Sequence, residues 1–228
     1  MCGRFVLMTP DKDLGEHFGL EEAFDLRPRY NIASTQIVVI ITVDRDTLQR
    51  RLVQVKWGLI PFWAKDISIG NRLINARAES ASQKPAFRSA FKTRRCLVPA
   101  DGFYEWKKGK EDRKQPYLVR NADGSPFAFA GLWERWTGPD GEIIESCTIL
   151  TTDANELTRP IHDRMPVILH PRDYDLWLDP EVKDPGMLKP LLRPYASGAM
   201  NVEPVSSKVN NATYDAPDCV EVVPVKQD

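Results

Sequence analysis

The stretch CLVPADGFYEWKK, residues 96–108, reads as two strands meeting at a turn, and it decides the fold class. Cys96, Leu97 and Val98 form an apolar run that reads as a strand. Ala100-Asp101-Gly102 is a turn signal. Beyond it, Phe103, Glu105 and Lys107 fall on one side of an extended chain, and Tyr104 and Trp106 on the other. The same signals recur outward. QIVVIITV (36–43) reads as a buried strand, and RLVQVKWGLI (51–60) sets Val53, Val55 and Trp57 on one face. PFAFAGLWERW (126–136), SCTILTT (146–152), MPVIL (165–169) and VEVVPV (220–225) are further strand candidates. Helical signals are fewer. TPDKDLGEHFG (9–19) begins with Thr9 as cap and Pro10 at the first position. PAFRSAF (85–91), DANEL (153–157) and PRDYDLWL (171–178) read as short helices. Strands dominate without a regular βαβ rhythm, repeat or low-complexity linker. The expectation is an α+β fold in one domain over residues 1–228, core about 2–225, built on curved, mainly antiparallel sheets with short flanking helices.

Of the 228 residues 42% are hydrophobic, enough for a sizeable core. Lys and Arg number 31 against 32 Asp and Glu, so there is no global basic field, and a polyanionic partner would need a local patch. The cysteines Cys2, Cys96, Cys147 and Cys219 form no C-x-x-C pair, so neither a zinc knuckle nor a redox dithiol is suggested, and no metal or cofactor is expected. The early apolar run FVLM (5–8) is too short for a signal-peptide core. No stretch approaches the roughly 20 apolar residues of a membrane span. The expectation is a cytoplasmic protein with reduced cysteines, Cys96 and Cys147 buried among apolar neighbours.

MCGRFV (1–6) places Cys2 where removal of Met1 makes it the first residue, with an amine and a thiol two carbons apart. Their ordinary pKa values, about 8 and about 8.5, leave both groups reactive near neutrality. An aldehyde would form a Schiff base with the amine, and the sulfur could then close a five-membered thiazolidine, favoured by its intramolecular geometry. Gly3 permits close backbone approach, and Arg4 puts a cation beside an anionic substrate. A second-position cysteine in a loose tail, and the N-terminal nucleophile of a glutamine amidotransferase, are equally compatible with these letters.

RLINARAES (72–80), if extended, sets Asn75, Arg77 and Glu79 on one side. Arg77 could hold a phosphate and Asn75 could orient a carbonyl or hydroxyl; a plain polar sheet face is the alternative. Glu105 among aromatics could carry a raised pKa and move protons near neutrality, or could be an exposed strand glutamate. Lys107, Lys108 and Lys110 read as a solvated basic turn. RPIHDRMPV (159–167) brackets His162 between two prolines, a rigid setting from which to aim an imidazole, whereas His17 and His170 attract no role. Of the aromatic-rich stretches, Trp57, Trp106 and Trp133 read as core, and Trp63, after a Pro-Phe turn, as an exposed wedge able to stack on a base.

Together, MCGRF, RYNIA, WGLIPFW, INARAES, RRCLVPADGFYEWK, KQPY, FAGLWE, ILTTDAN, IHDRMPVIL and PVSSKVNN resemble, in order and over nearly the whole chain, the SRAP family, abasic-site processing proteins first described as SOS-response-associated peptidases. One departure is Ser34, where members of that family commonly carry proline. The resemblance implies a β-rich, barrel-like core with a positively charged groove. It implies that Cys2 is the crosslinking residue, that Asn75, Glu105 and His162 match the other active-site positions, and that Arg4 and Arg77 match positions associated with DNA phosphates. The implied activity is a thiazolidine crosslink to an abasic site in single-stranded DNA or at a single-strand/double-strand junction, by a monomer without cofactor, in the DNA damage response. The peptidase label implies at most removal of Met1. The amidotransferase and a non-covalent DNA-binding module remain as the other classes. Glutaminase activity discriminates the first, and mass spectrometry with abasic DNA the second.

Overall fold

The computed structural model describes residues 2–22, 24–109 and 114–224. Met1, Lys110 and the last residue of the expected core, Val225, lie outside them.

The chain begins with β1 (Arg4–Leu7), α1 (Asp11–Phe18), β2 (Arg29–Ala33), β3 (Ile37–Val43), β4 (Arg50–Trp57), β5 (Asn75–Arg77), α2 (Ala78–Ala81) and α3 (Arg88–Thr93). It continues with β6 (Arg95–Ala100), β7 (Gly102–Lys108), β8 (Lys114–Asn121), β9 (Phe127–Thr137) and β10 (Ile143–Asp153). It closes with β11 (Arg164–Pro166), β12 (Ile168–Leu169), α4 (Tyr174–Leu178), α5 (Pro185–Leu188) and β13 (Met200–Pro204). Strands β10, β4, β3, β6 and β9 pair in that order, and β9 returns to pair with β10, so five strands close a barrel. Four of the five junctions are antiparallel, as expected; the β10–β4 junction is parallel, and β5 also runs parallel to β10. The second sheet, β13-β8-β7-β1-β2, is antiparallel throughout.

The 96–108 stretch is where the chain leaves the barrel for the second sheet. β6 pairs with β3 and β9, β7 with β1 and β8, so the turn between them is a corner joining two sheets. Asp101 fixes that corner. Its amide donates to the Val6 carbonyl at 2.8 Å, and its carboxylate accepts the amides of Met8 and Thr9 and the Thr9 hydroxyl. Gly102 must be glycine for space: a Cβ there would meet Leu118 Cδ1 at 2.8 Å and the Val119 carbonyl oxygen at 2.9 Å. The sheets share one core, in which the Phe5 ring meets Trp57 at 5.3 Å and Phe129 at 5.8 Å, edge to face. Cys96 and Cys147 are buried within it.

Several local expectations change. The Thr9 hydroxyl is taken by Asp101, so Thr9 does not cap α1; Pro10 occupies the cap position. DANEL forms a turn rather than a helix: Asn155 Oδ1 accepts the Thr158 amide and hydroxyl, and Pro160 blocks continuation. Among its described residues VEVVPV contributes a Val205–Val222 bridge rather than a strand, and Pro224 cannot donate to a ladder. INARAES stays extended only over Asn75–Arg77 and then turns into α2, so Glu79 leaves the face shared by Asn75 and Arg77 and makes a two-pronged ion pair with Arg164 at 2.8 and 3.0 Å. Trp57 is buried as expected, but Trp106 and Trp133 are half-buried. Among the described residues, no helix is long and apolar enough to cross a membrane.

Candidate active site

β1 enters the second sheet next to β7, and the chain just before it is drawn inward. Cys2 is fully buried and belongs to the main core, which removes the loose-tail alternative. Asn75 Nδ2 donates to the Cys2 carbonyl at 2.8 Å. Asn75 is set by the parallel pairing of β5 with β10, where it lies opposite Ile149. The Ser34 amide donates to the Gly3 carbonyl at 3.3 Å, a bond that proline in that position could not make. The N-terminal segment is therefore held from two sides, immediately around the cysteine.

Burial pushes the Cys2 thiol well above its ordinary pKa, and the neighbouring negative charge of Glu105 adds to the rise. Glu105 sits in the middle of β7, only 4% exposed, and burial raises its carboxyl to about 7. It thus divides between acid and carboxylate near neutrality, as a proton-transfer group requires.

An open cleft of about 620 Å³ carries Glu105, His162 and Arg4 on its lining, together with Trp106, Lys108, Lys114 and Asn210. His162 follows the 155–161 turn, its own amide bonded to the Thr158 carbonyl at 3.0 Å. The Arg164 amide donates to its Nδ1 at 3.0 Å, which leaves the proton of the neutral ring on Nε2. Asp163 Oδ1 is also 3.0 Å from Nδ1, but that side chain is 88% exposed and water screens it. Burial lowers the His162 pKa against the opposing pull of Asp163, so the ring is mostly neutral at pH 7. Arg4 Nη1 donates to Asn31 Oδ1 at 2.7 Å and to the Val209 carbonyl at 2.6 Å, and the guanidinium lies 5.7 Å from the centre of the Trp106 ring. Asn31, fully buried, also donates to the carbonyls of Asn211 and Tyr214. The segment just after β13 is thereby stitched to the wall of the cleft, and Trp106 Nε1 holds Asn210 through its Oδ1 at 2.7 Å.

The family described as SOS response associated peptidase (SRAP) matches residues 1–212. The chain belongs to the SRAP family. It is 44% identical over 224 residues to the abasic site processing protein YoqW of Bacillus subtilis, covering 97% of this chain and 99% of that one. It is 34% identical over 208 residues to the abasic site processing protein HMCES of Xenopus tropicalis, covering 81% of this chain and 61% of that longer protein. A crystal structure of a protein from Bacteroides thetaiotaomicron superposes with a TM-score of 0.81 at 28% identity, covering 91% of this chain and 93% of that one.

The remaining residues singled out in this SRAP chain lie apart from the cleft lining. Arg77 ends β5, exposed, and its side chain makes no hydrogen bond or ion pair among the described residues. Trp63 is 48% exposed and Phe62 beside it 56%, on a loop whose base is clamped where Gly58 and Gly70 pack backbone to backbone. Gly58 has φ +135°, and a Cβ there would meet the Gly70 carbonyl oxygen at 2.7 Å. Lys114 and Asn210 carry no functional signal in the sequence, where Trp106 reads as core and Lys108 as part of a solvated basic turn. Lys108 and Lys114 face each other across the β7–β8 ladder, a like-charge pair that destabilises a bare sheet and favours a bound anion. Their sequence signal is two lysines six positions apart, visible as a pair only once the β7–β8 register is known.

Proposed function

We propose that this protein processes abasic sites in single-stranded DNA by forming a thiazolidine crosslink through Cys2 after Met1 is removed, acting as a single domain. The observation that carries the proposal is that Glu105, a carboxyl of pKa about 7, lines one cleft with His162 and acts by its charge on the thiol of the buried Cys2, whose carbonyl Asn75 holds. The names of the relatives at 44% and 34% identity support the substrate class.

In the proposed sequence the abasic sugar opens to its aldehyde while His162 transfers a proton at the ring oxygen. The Cys2 amine adds to the aldehyde carbon to give a carbinolamine. Glu105 in its acid form protonates the departing hydroxyl, and one water leaves with formation of the imine. The sulfur then adds to the imine carbon, and the thiol proton passes to the nitrogen. The net change is loss of one water. A thiol held protonated by burial is a poor first nucleophile, which favours this amine-first order over the amidotransferase reading. Arg4, Lys108 and Lys114, which line the cleft, are the cations proposed to take DNA phosphates, and the exposed Arg77 and Trp63 are proposed as further DNA contacts.

The test is intact-mass spectrometry after mixing with an abasic single strand. The expected product is protein lacking Met1 plus DNA minus one water, absent for Cys2→Ala. Glutamine hydrolysis without adduct would establish the amidotransferase instead, and affinity without adduct the binding module.

A further inference from the structure

A second cavity, about 220 Å³, lies at the far end of β8 from the cleft. Lys114 at the cleft and Asn121 at this cavity are seven strand steps apart, roughly 23 Å at about 3.3 Å per residue. Two of its lining residues carry a buried side-chain atom with no hydrogen-bond partner among the described residues, His17 Nε2 and Asn121 Oδ1, while the Tyr174 hydroxyl meets the Ala128 backbone. Native interiors seldom leave such atoms unpaired, and two around one cavity mark a place for a polar occupant. Asn121 is 8% exposed and Tyr174 1%.

The charge of the lining selects the occupant. Asp123 is its one carboxylate; Ser125 donates to Asp123 Oδ1 from its amide at 2.9 Å and its hydroxyl at 2.6 Å, and these bonds hold the carboxyl below its ordinary pKa. No lysine or arginine is among the lining residues. Arg50 lies 5.8 Å from the Tyr174 ring but outside the lining, bonded to the Phe18 carbonyl and to Asp175, each at 2.6 Å. Burial lowers the His17 pKa, so the ring adds little positive charge at neutrality. Asn121 Nδ2 is spent on Ser125, so its free oxygen accepts only. A carboxylate, an orphaned acceptor and the rings of Tyr174 and Tyr195 repel an anion and suit a cation that donates hydrogen bonds.

We propose that this cavity binds a short primary alkylammonium ion, its N–H groups directed to Asn121 Oδ1 and Asp123 and its alkyl carbon against the two tyrosine rings. This site is independent of the DNA reading above.

The probe is methylammonium chloride, titrated against the full-length protein and followed by amide chemical shifts, with potassium chloride at equal ionic strength as control. The expected result is saturable shifts confined to residues around Asn121, Tyr174 and Tyr195, absent with potassium. Asp123→Asn, an exposed turn substitution, should weaken binding at least tenfold, and Tyr195→Leu should weaken it independently. Putrescine should bind as a free diamine, and Nα-acetyl-lysine amide, which presents the same head on a bulkier body, should bind less well. The proposal is overturned if the shifts do not saturate, if potassium reproduces them, or if both variants bind methylammonium as the wild type does. Ordered water alone in the cavity of crystals grown with the amine would overturn it too.

Discussion

Asn75 Nδ2 donates to the Cys2 carbonyl at 2.8 Å, tying the chain's second residue to a three-residue strand 73 positions away. That strand is fixed in turn by parallel pairing with β10. The bond acts on the backbone of the cysteine, leaving its amine and thiol to react. Asn75→Ala should therefore slow crosslinking through poorer positioning, by about 1–3 kcal/mol, roughly 5- to 150-fold. Asn75→Asp should do at least as much, because a carboxylate repels the carbonyl it would face. Affinity for intact single strands should stay near the wild-type value. Single-turnover crosslinking and anisotropy titrations check this; an equal loss in both would make Asn75 a DNA-binding residue.

Glu105 carries a pH prediction with a definite sign. Burial raises its folded pKa to about 7 from an ordinary 4.5. Its stabilising contribution is therefore complete below about pH 4.5 and is lost as pH rises through 7, an order-of-magnitude cost of about 3 kcal/mol in alkali. Glu105→Gln should then gain thermal stability relative to wild type at pH 8 but not at pH 5. Crosslinking by wild type should fall as pH rises past about 7, when the acid form is lost, and Glu105→Gln should be slow with that limb flattened. Melting curves and rate–pH profiles on the two proteins are sufficient. A Glu105→Gln protein destabilised equally at both pH values would assign the side chain a purely structural role.

Cys2 separates the two covalent steps. Cys2→Ser keeps an amine beside a weaker nucleophile, so borohydride should trap an imine while no adduct survives without it. An extension that leaves residues ahead of Cys2 should abolish both. A stable adduct formed with the amine blocked would sink the amine-first order.

The elements visible in the sequence are those whose signal is local. The Cys96–Val98 run is buried because β6 faces the shared core and α4 and β1 pack on it, and its apolar letters announce a strand. Cys2, Asn75, Glu105 and His162 stood out through residue type, and by resemblance through motif. Hidden were features set by long-range pairing. A parallel β10–β4 junction has the same two-residue period as an antiparallel one, so the pattern could not reveal it. Glu79 looked like a partner of Asn75 because nothing in ARAES announces a strand ending at Arg77. Asn210 reaches the cleft from the far end of the chain through Trp106, a contact no window contains.

The last prediction concerns how a nearly neutral chain, 31 basic against 32 acidic residues, grips a polyanion. Lys108 and Lys114 oppose each other at the cleft, and Arg77 stands exposed on β5. Each phosphate neutralised on a single strand adds about −0.7 to the slope of log affinity against log salt. Lys114→Gln and Arg77→Gln should each make the slope shallower by about that amount and weaken binding evenly across sequences. Lys108→Gln should be smaller in effect when Lys114 is already gone, because the two share one anion. Arg4 is a poor probe: its Nη1 bonds to Asn31 and Val209 mean that its removal also loosens the cleft wall. Trp63 should behave in the opposite way. A stacked ring is worth about 1–3 kcal/mol with little salt dependence, so Trp63→Ala should lower affinity at every salt concentration in parallel. Phe62→Ala, the more exposed neighbour, is the control for a general loss of apolar surface. Salt titrations on abasic-analogue single strands, duplexes and junctions read all of this together. Equal affinity for duplex and single strand, or a slope unmoved by Lys114→Gln and Arg77→Gln, would place the DNA path on another face of the protein.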